Sequence, residues 1–317
     1  MPTPLPDSST KTLREPHGSR RRLIPKWRRR IANELNGYLF VLPALLLIGV
    51  FFGYPLLRAF QMSFYDWPVL GSKTFIGFQN YVGLLNDGTF IQSMRFTLLY
   101  TVLVTPAIFL VAFLLAVLVD RPIPGISLFR GIYFLPVVMS FVAASLIWLW
   151  IYHDLFGLLN YVLLEAGIIA EPVVWMGEIT TSLPAIIVMI VWKTAGFSMM
   201  ILLAGMQSIP RELYESASLD GASATQRVRH VMLPLLKPSF ALALIVSMAG
   251  SFLAFDHFVI MTRGGPANAT KTVMMHIYDT SFLHFRLGAG SAMAVVLLLI
   301  LLAVSVVQIR LLRSETA

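Results

Sequence analysis

Six long apolar stretches constrain this chain more than any other feature of its sequence. They cover roughly residues 38–61, 97–120, 129–152, 183–206, 238–262 and 289–309. A helix needs about 20 mostly apolar residues to cross a hydrocarbon core of about 30 Å. None of the stretches shows the apolar–polar alternation of strands in a membrane barrel. The sequence therefore predicts an all-α membrane protein with six transmembrane helices.

Composition supports this class and excludes several others. Charged residues make up 13% of the chain and hydrophobic residues 57%, whereas an ordinary soluble domain is about 25% charged. These values exclude a soluble enzyme, a disordered protein and a secreted disulfide scaffold. The chain contains no cysteine, so disulfides, thiolate metal sites and cysteine nucleophiles are excluded as well.

Lysine and arginine are distributed unequally between the two sides of the predicted helices. The segment 1–37 carries nine, and further ones lie in 121–130, 207–237 and 310–313, while the opposite loops hold only Lys73, Arg95, Arg263, Lys271 and Arg286. Short basic flanks face the cytoplasm. We therefore expect a multi-pass protein of the cell membrane with both termini cytoplasmic. The basic tail 1–37 is expected to contact membrane lipids and no nucleic acid.

The segment 207–237 is the longest predicted cytoplasmic connection and carries signals for two short helices. Pro210 suits a helix start, and Gly221 suits the left-handed position that ends one. Ser223 and Gln226 have the spacing of a capping box, which predicts a second helix that begins there. Leu233-Pro234 is expected to end this second helix.

The residues of this segment resemble the EAA loop of binding-protein-dependent ABC importers. That pattern is Glu-Ala-Ala, three residues, Gly, nine residues, then Ile-x-Leu-Pro, and here Glu215-Ser216-Ala217, Gly221 and Val231-Met232-Leu233-Pro234 match it. The resemblance implies a type I ABC importer permease fold (MetI-like) over residues 38–313, with 314–317 as a cytoplasmic end. It also implies that 207–237 docks on an ATPase subunit through Glu215, Ser216, Ala217, Asp220, Gly221, Ala222, Arg227, Leu233 and Pro234.

A second match resembles the carbohydrate permeases within this family. It includes Phe252, Phe255-Asp256 and the outer-loop sequence Gly264-Gly265-Pro266. The resemblance implies half of a translocation path for a sugar or oligosaccharide. Its implied partners are a second homologous permease, two ATP-binding subunits and an extracytoplasmic sugar-binding protein or lipoprotein. ATP and Mg would then be bound by the partner ATPases, and no cofactor by this chain.

Candidate residues of the translocation path come from ionisable and aromatic side chains within the apolar stretches. Lys193 is expected near the membrane midplane, either donating to sugar hydroxyls beside Trp192 or forming an internal ion pair between helices. Asp256 is expected near the outer surface, as part of a gate or interface, together with Phe252 and Phe255.

Other function classes find less support in the sequence. Residues 265–272 are one glycine short of a phosphate-binding loop, because Thr270 occupies that position. The six histidines form no metal-binding or catalytic pattern, so we expect no enzyme activity and no metal. The alternatives are an ion-coupled secondary transporter, a permease for glycerol-3-phosphate or another polyol derivative, and an intramembrane lipid enzyme.

Overall fold

A computed structural model of the protein describes residues 38–120 and 123–312. The predicted tail 1–37 and the end 314–317 lie outside these residues. The chain divides into two units, Met1–Leu56 and Leu57–Ala317. The described part of the first unit is helical and belongs to helix α1, Tyr38–Met62, which contains a π-helical turn at Gly49–Gly53.

The second unit is almost entirely helical. A two-residue strand pair, β1 (Tyr65–Asp66) and β2 (Thr74–Phe75), follows α1. The remaining helices are α2 (Gln79–Asn86), α3 (Gly88–Val119), α4 (Ile126–Val138), α5 (Phe141–Ile151), α6 (Leu158–Glu165), α7 (Ile179–Gln207), α8 (Arg211–Leu219), α9 (Ala224–Leu235), α10 (Lys237–Phe252), α11 (Asp256–Met261), α12 (Val273–Tyr278) and α13 (Leu287–Leu312).

Four described helices are long and apolar enough to cross a membrane, namely α1, α3, α7 and α13. Two bent pairs, α4 with α5 and α9 with α10, raise this number to six if each pair counts as one span. The predicted all-α class is confirmed. The count of six spans remains a prediction.

The predicted third span, 129–152, is wrong as a single helix. Its two halves, α4 and α5, meet at an angle of 97°. Met139 and Ser140 both have extended backbone, and the Ser140 hydroxyl accepts a hydrogen bond from the Ala143 N–H at 3.1 Å. A serine N-cap therefore starts α5 as a new helix instead of continuing α4.

The predicted fifth span, 238–262, is also interrupted. Helix α10 ends at Phe252, and α11 begins at Asp256. The Thr272 hydroxyl donates to the Ala254 carbonyl at 2.8 Å. A hydroxyl from elsewhere in the fold thus satisfies a carbonyl at the break, which makes an irregular backbone tolerable away from water.

Helices α3 and α7 form the centre of the second unit. Between them lie two groups of buried apolar side chains. The cluster that contains residues of segment 207–237 is called the loop-side cluster. It includes Ala112, Ala116, Val119, Met199, Leu202, Met206, Met232 and Leu236. The other cluster, called the loop-distal cluster, contains no residue of segment 207–237. It includes Phe96, Tyr100, Ile186, Met189, Phe258 and Met275.

Gly196 allows α4 to approach α7 closely, since a Cβ at this position would overlap the Tyr133 carbonyl.

Candidate functional site: segment 207–237 and the central cavity

The first helix of segment 207–237, α8, ends at Leu219, and Gly221 supplies the predicted left-handed residue just after it. Gly221 has a φ of +78°, a left-handed conformation that glycine adopts without steric cost. The Ala222 N–H donates to the Ala217 carbonyl at 2.9 Å, and the Gly221 N–H donates to the Ser218 carbonyl at 3.1 Å. These two bonds form a Schellman motif, which satisfies carbonyls at the helix end and reverses the chain.

The capping box that starts the second helix is confirmed. The Ser223 N–H donates to Gln226 Oε1 at 2.7 Å, and the Gln226 N–H donates to Ser223 Oγ at 3.3 Å. The second helix, α9, ends at Leu235, one residue beyond the predicted end at Leu233-Pro234. A π-helical turn at Val228–Met232 precedes Pro234, which lies in the first turn of the α-helical segment that follows. A proline is tolerated at that position.

The tip of segment 207–237 exposes acidic and large apolar side chains. Glu215 is exposed and forms no ion pair within the described residues. Leu219 is 90% exposed, although sequence analysis did not single it out. Arg227 donates to Ser218 Oγ at 2.7 Å and so bridges α9 to α8. The other predicted docking residues form three groups: Ser216, Asp220 and Pro234 are exposed, Ala217, Ala222 and Leu233 are half-buried, and Gly221 lies at the turn.

The opposite side of this segment is anchored in the loop-side cluster. Met232 and Leu236 are buried there among side chains of α3 and α7, and Tyr214 packs against the same cluster. Burial, together with the negative charge of Asp120 at the end of α3, raises the pKa of Tyr214. Helices α8 and α9 are therefore packed directly onto the two central helices.

A cavity of about 290 Å³ lies between the central helices. Its polar lining residues are Tyr100, Lys193, Thr194, Ser198, Ser247, Ser251 and His257, and its apolar ones include Ile108, Phe141, Ile190, Phe197 and Val246. Helices α3, α7, α10 and α11 and the bend between α4 and α5 all contribute. A few polar groups on a mostly apolar wall are typical of small-molecule sites.

Lys193 lies in this cavity at the middle of α7 and is 4% exposed. Its ammonium donates to the Val137 carbonyl at 3.0 Å and lies 4.8 Å from the centre of the Phe141 ring. Both partners flank the bend between α4 and α5. Among the described residues Lys193 does not form the predicted internal ion pair. Its partners are instead the Val137 carbonyl at the end of α4 and the face of the Phe141 ring.

The structure separates the remaining predicted path residues from the cavity. Trp192 packs edge-on against Trp148 with ring centres 5.6 Å apart, on a different side of α7 from Lys193, because consecutive helical residues point about 100° apart. Phe252 is 1% exposed, in a separate apolar cluster with Phe90 and Met293. Phe255 packs against Tyr278, and Asp256 is exposed at the start of α11.

His257 and Tyr100 line the cavity, and sequence analysis did not place them there. His257 Nε2 lies 3.3 Å from the Tyr100 hydroxyl, and its ring centre lies 5.9 Å from that of Phe141. Tyr100 and His257 are 157 positions apart. The break between α10 and α11 turns His257 inwards, and no spacing rule predicts that break.

The outer-loop residues Gly264, Gly265 and Pro266 form a tight turn. Gly264 has a φ of +80°. The buried Thr270 hydroxyl donates to the Gly265 carbonyl at 2.7 Å and lies 2.8 Å from Thr262 Oγ1. The Thr270 hydroxyl thus forms its hydrogen bonds within the loop itself. A phosphate-binding loop would instead present backbone N–H groups to a ligand.

Asp87 links the start of α3 to α12. Its carboxylate accepts hydrogen bonds from the N–H groups of Thr89 at 2.9 Å and Phe90 at 3.1 Å, and it lies 3.1 Å from His276 Nε2. Burial acts to raise the pKa of Asp87, but the Phe90 N–H and the His276 ring outweigh it, so this pKa is lower than usual.

Comparisons with known proteins give the family of this chain. Residues 81–314 match the family described as the inner membrane component of binding-protein-dependent transport systems. The chain is 33% identical over 296 residues to the sulfoquinovosyl glycerol transport system permease protein SmoG of Agrobacterium fabrum, covering 92% of this chain and 96% of the relative. It is 37% identical over 252 residues to the lactose transport system permease protein LacF of Rhizobium radiobacter, covering 78% and 84%.

A solved structure agrees with these relatives at the level of the fold. It is the crystal structure of a bacterial ABC transporter involved in the import of the acidic polysaccharide alginate. One of its chains matches with a TM-score of 0.79 and 22% identity, over 92% of this chain and 100% of that chain. This chain therefore belongs to the family of inner membrane components of binding-protein-dependent transport systems.

Proposed function

We propose that this protein is one of two homologous permease subunits of an ATP-driven importer. It would supply half of the path for a sugar or oligosaccharide that an extracytoplasmic binding protein delivers. The observation that carries the proposal is the geometry of segment 207–237, the coupling loop. There the residues of the EAA pattern build two helices joined at Gly221, exposed at one side and anchored in the core at the other.

The exposed side of the coupling loop fits a protein partner. Leu219 can enter an apolar pocket, and Glu215 can accept charge-assisted hydrogen bonds from a lysine or arginine of an ATPase subunit. Two ATPase subunits would bind ATP and Mg, and this chain would bind neither. Closure of the ATPases would then move α8 and α9, and through Met232 and Leu236 it would move α3 and α7.

The proposed orientation follows from the basic segments. The coupling loop contains Arg211, Arg227, Arg229 and Lys237, and short basic connections remain in the cytoplasm. Both termini of the chain would lie on the cytoplasmic side of the membrane, as the coupling loop does. Segment 255–286 would then face the extracytoplasmic binding protein.

A carbohydrate is the substrate class that the relatives and the cavity support together. The two relatives described above are named for transport of a sugar glycoside and of lactose. Hydroxyl groups of Tyr100, Thr194, Ser198, Ser247 and Ser251 line the cavity, and such groups both donate to and accept from sugar hydroxyls.

The test is an affinity purification of the tagged chain from native membranes, with mass spectrometry of the proteins that accompany it. We compare the wild type with Glu215→Arg and Gly221→Val. Glu215→Gln and Gly221→Asn are the matched controls, because Gln keeps the shape of Glu and Asn tolerates a left-handed backbone. A Cβ at position 221 meets no atom within 4 Å, so the backbone conformation alone decides this comparison.

We expect an ATPase, a second permease and a binding protein to accompany the wild type. The Arg and Val variants should lose at least about 90% of the ATPase, and the Gln and Asn controls should keep most of it. A chain that purifies without any ATPase contradicts the proposal and favours an ion-coupled transporter. An ATPase that stays bound to both disruptive variants contradicts the role of the coupling loop.

A further inference from the structure

The central cavity contains a lysine ammonium with no acidic counterpart. Lys193 and His257 are its ionisable lining residues apart from the Tyr100 phenol, and no Asp or Glu side chain is among the described lining residues. The described acidic residue next to a lining residue in sequence, Asp256, precedes His257 at the start of α11, is exposed, and is not among the lining residues. The cavity therefore has an excess of positive charge.

A buried ammonium in the middle of a membrane helix is costly. A lysine at the helix centre costs at least about 2.5 kcal/mol unless it is solvated or paired. Lys193 has two partial substitutes for an anion, which are the Val137 carbonyl at 3.0 Å and the face of Phe141 at 4.8 Å. A carbonyl at the end of α4 carries only a fraction of a negative charge. An ammonium with three donors thus keeps two N–H groups for other partners.

We propose that Lys193 binds the anionic group of an acidic saccharide as it passes through the cavity. The proposal rests on the proposed function and names its substrate class as a sugar that carries a carboxylate, sulfonate or phosphate. The anion supplies the full negative charge that the cavity lacks. A neutral sugar can accept hydrogen bonds from the ammonium, but it does not supply the negative charge.

The surroundings of Lys193 suit the rest of such a molecule. His257 and the Tyr100 hydroxyl, 3.3 Å apart, lie on one wall, and Ser198 and Ser247, with their hydroxyl oxygens 3.4 Å apart, lie on another. Phe141 and Phe197 provide apolar surface for the faces of a sugar ring. The cationic, hydroxyl and aromatic groups are thus arranged around a single cavity.

The bend between α4 and α5 gives this site a further property. Lys193 holds the Val137 carbonyl just before the bend, and Phe141 lies just after it. An anion that draws the ammonium away from Val137 loosens one of the contacts at the bend. Lys193 thus contacts both the cavity and the bend between α4 and α5.

The experiment measures ATP-dependent uptake by cells that lack the importer and receive it on a plasmid. The labelled probes are disaccharides of glucuronate and galacturonate, a sugar sulfonate, a sugar phosphate, and the neutral disaccharides lactose and maltose. The importer carries Lys193, Lys193→Arg or Lys193→Gln. Arg keeps the charge, whereas Gln keeps a donor for the Val137 carbonyl and removes the charge. Affinity purification confirms that each variant still assembles with its ATPase.

We expect the wild type to import one of the acidic probes, the Gln variant to import it at least about tenfold more slowly, and the Arg variant to stay within about threefold. Unchanged uptake of the acidic probe by the Gln variant overturns the inference, because an acid-binding group then lies elsewhere, such as on the second permease. Import of neutral probes alone also overturns it and leaves the proposed function intact. If the wild type imports no probe in an ATP-dependent manner, the proposed function itself fails.

Discussion

The coupling loop and the central cavity differ in how their residues are brought together. The coupling loop is one continuous segment whose turn depends on Gly221 and on the pair Ser223 and Gln226. The cavity takes its lining from helices that lie far apart in the chain, and Tyr100 and His257 meet across 157 positions. Local hydrogen bonds build the coupling loop. Helix packing builds the cavity, together with the breaks between α4 and α5 and between α10 and α11.

This difference predicts different responses to substitution. Changes in the coupling loop should leave the folded membrane domain intact and weaken the contact with a partner. Changes at the helix contacts around the cavity should destabilise the membrane domain itself. The three predictions below test this contrast, in order of decreasing expected effect.

The largest effect is expected for Gly196→Ala, at the contact of α7 with α4. The added methyl group overlaps the Tyr133 carbonyl, so the two helices must separate, and overpacking of this kind costs about 1–3 kcal/mol. Gly131→Ala is the matched control, because a Cβ at Gly131 meets no atom within 4 Å and alanine favours helix formation. Thermal unfolding in detergent should show a clear loss of stability for Gly196→Ala alone. Equal stability of the two variants would contradict the close contact at Gly196.

A smaller, pH-dependent effect is expected at Asp87. Its pKa is lower in the folded protein than the ordinary value of 3.8. The stabilisation by its carboxylate is therefore complete above that value and disappears as the pH falls through the lowered pKa. Asp87→Asn should keep the helix cap and reduce the loss of stability towards low pH, whereas Asp87→Ala should cost about 1 kcal/mol at neutral pH.

The test measures the unfolding of the wild type, Asp87→Asn and Asp87→Ala at pH values between 3 and 7. An Asn variant with the same acid sensitivity as the wild type would show that Asp87 does not carry it.

The smallest effect is expected for Ser223→Ala in the capping box of the coupling loop. The substitution removes the acceptor of the Gln226 N–H, and loss of an exposed cap of this kind costs about 0.5 kcal/mol, the low end of the range for N-caps. Hydrogen exchange should become faster at the start of α9 and stay unchanged in α3 and α7, because Ser223 is exposed and is not among the residues of the loop-side cluster. Faster exchange in α7 would contradict the separation of the two regions.

The sequence predicts local features well where their determinants are adjacent residues. The end of α8 at Gly221 and the capping box at Ser223 and Gln226 follow from residue type and spacing, and the family follows from the same segment. Lys193 was correctly expected inside the protein, because only the interior can accommodate its charge.

Features that depend on distant residues were not predicted. The 97° bend between α4 and α5 occurs in an apolar sequence whose local signals are Pro136 and Ser140, and neither gives the size of the bend. The break after Phe252 depends on a hydrogen bond from Thr272. The partner of Lys193 is a backbone carbonyl on another helix, which no residue pattern reveals. Trp192 was expected beside Lys193, and the helical rotation between neighbouring residues separates them.

The most direct test of the coupling-loop assignment uses the absence of cysteine from the chain. Leu219→Cys introduces a single thiol at the exposed tip of the coupling loop, and Leu155→Cys introduces one at another highly exposed leucine, 84% accessible, between α5 and α6. Native membranes are treated with a short maleimide–diazirine reagent, which couples to the introduced thiol and on irradiation inserts into any neighbouring chain, and cross-linked proteins are identified by mass spectrometry. We predict a cross-link to an ATPase subunit from position 219 and none from position 155. A cross-link to the ATPase from position 155, or its absence from position 219 in an assembled complex, would contradict the assignment.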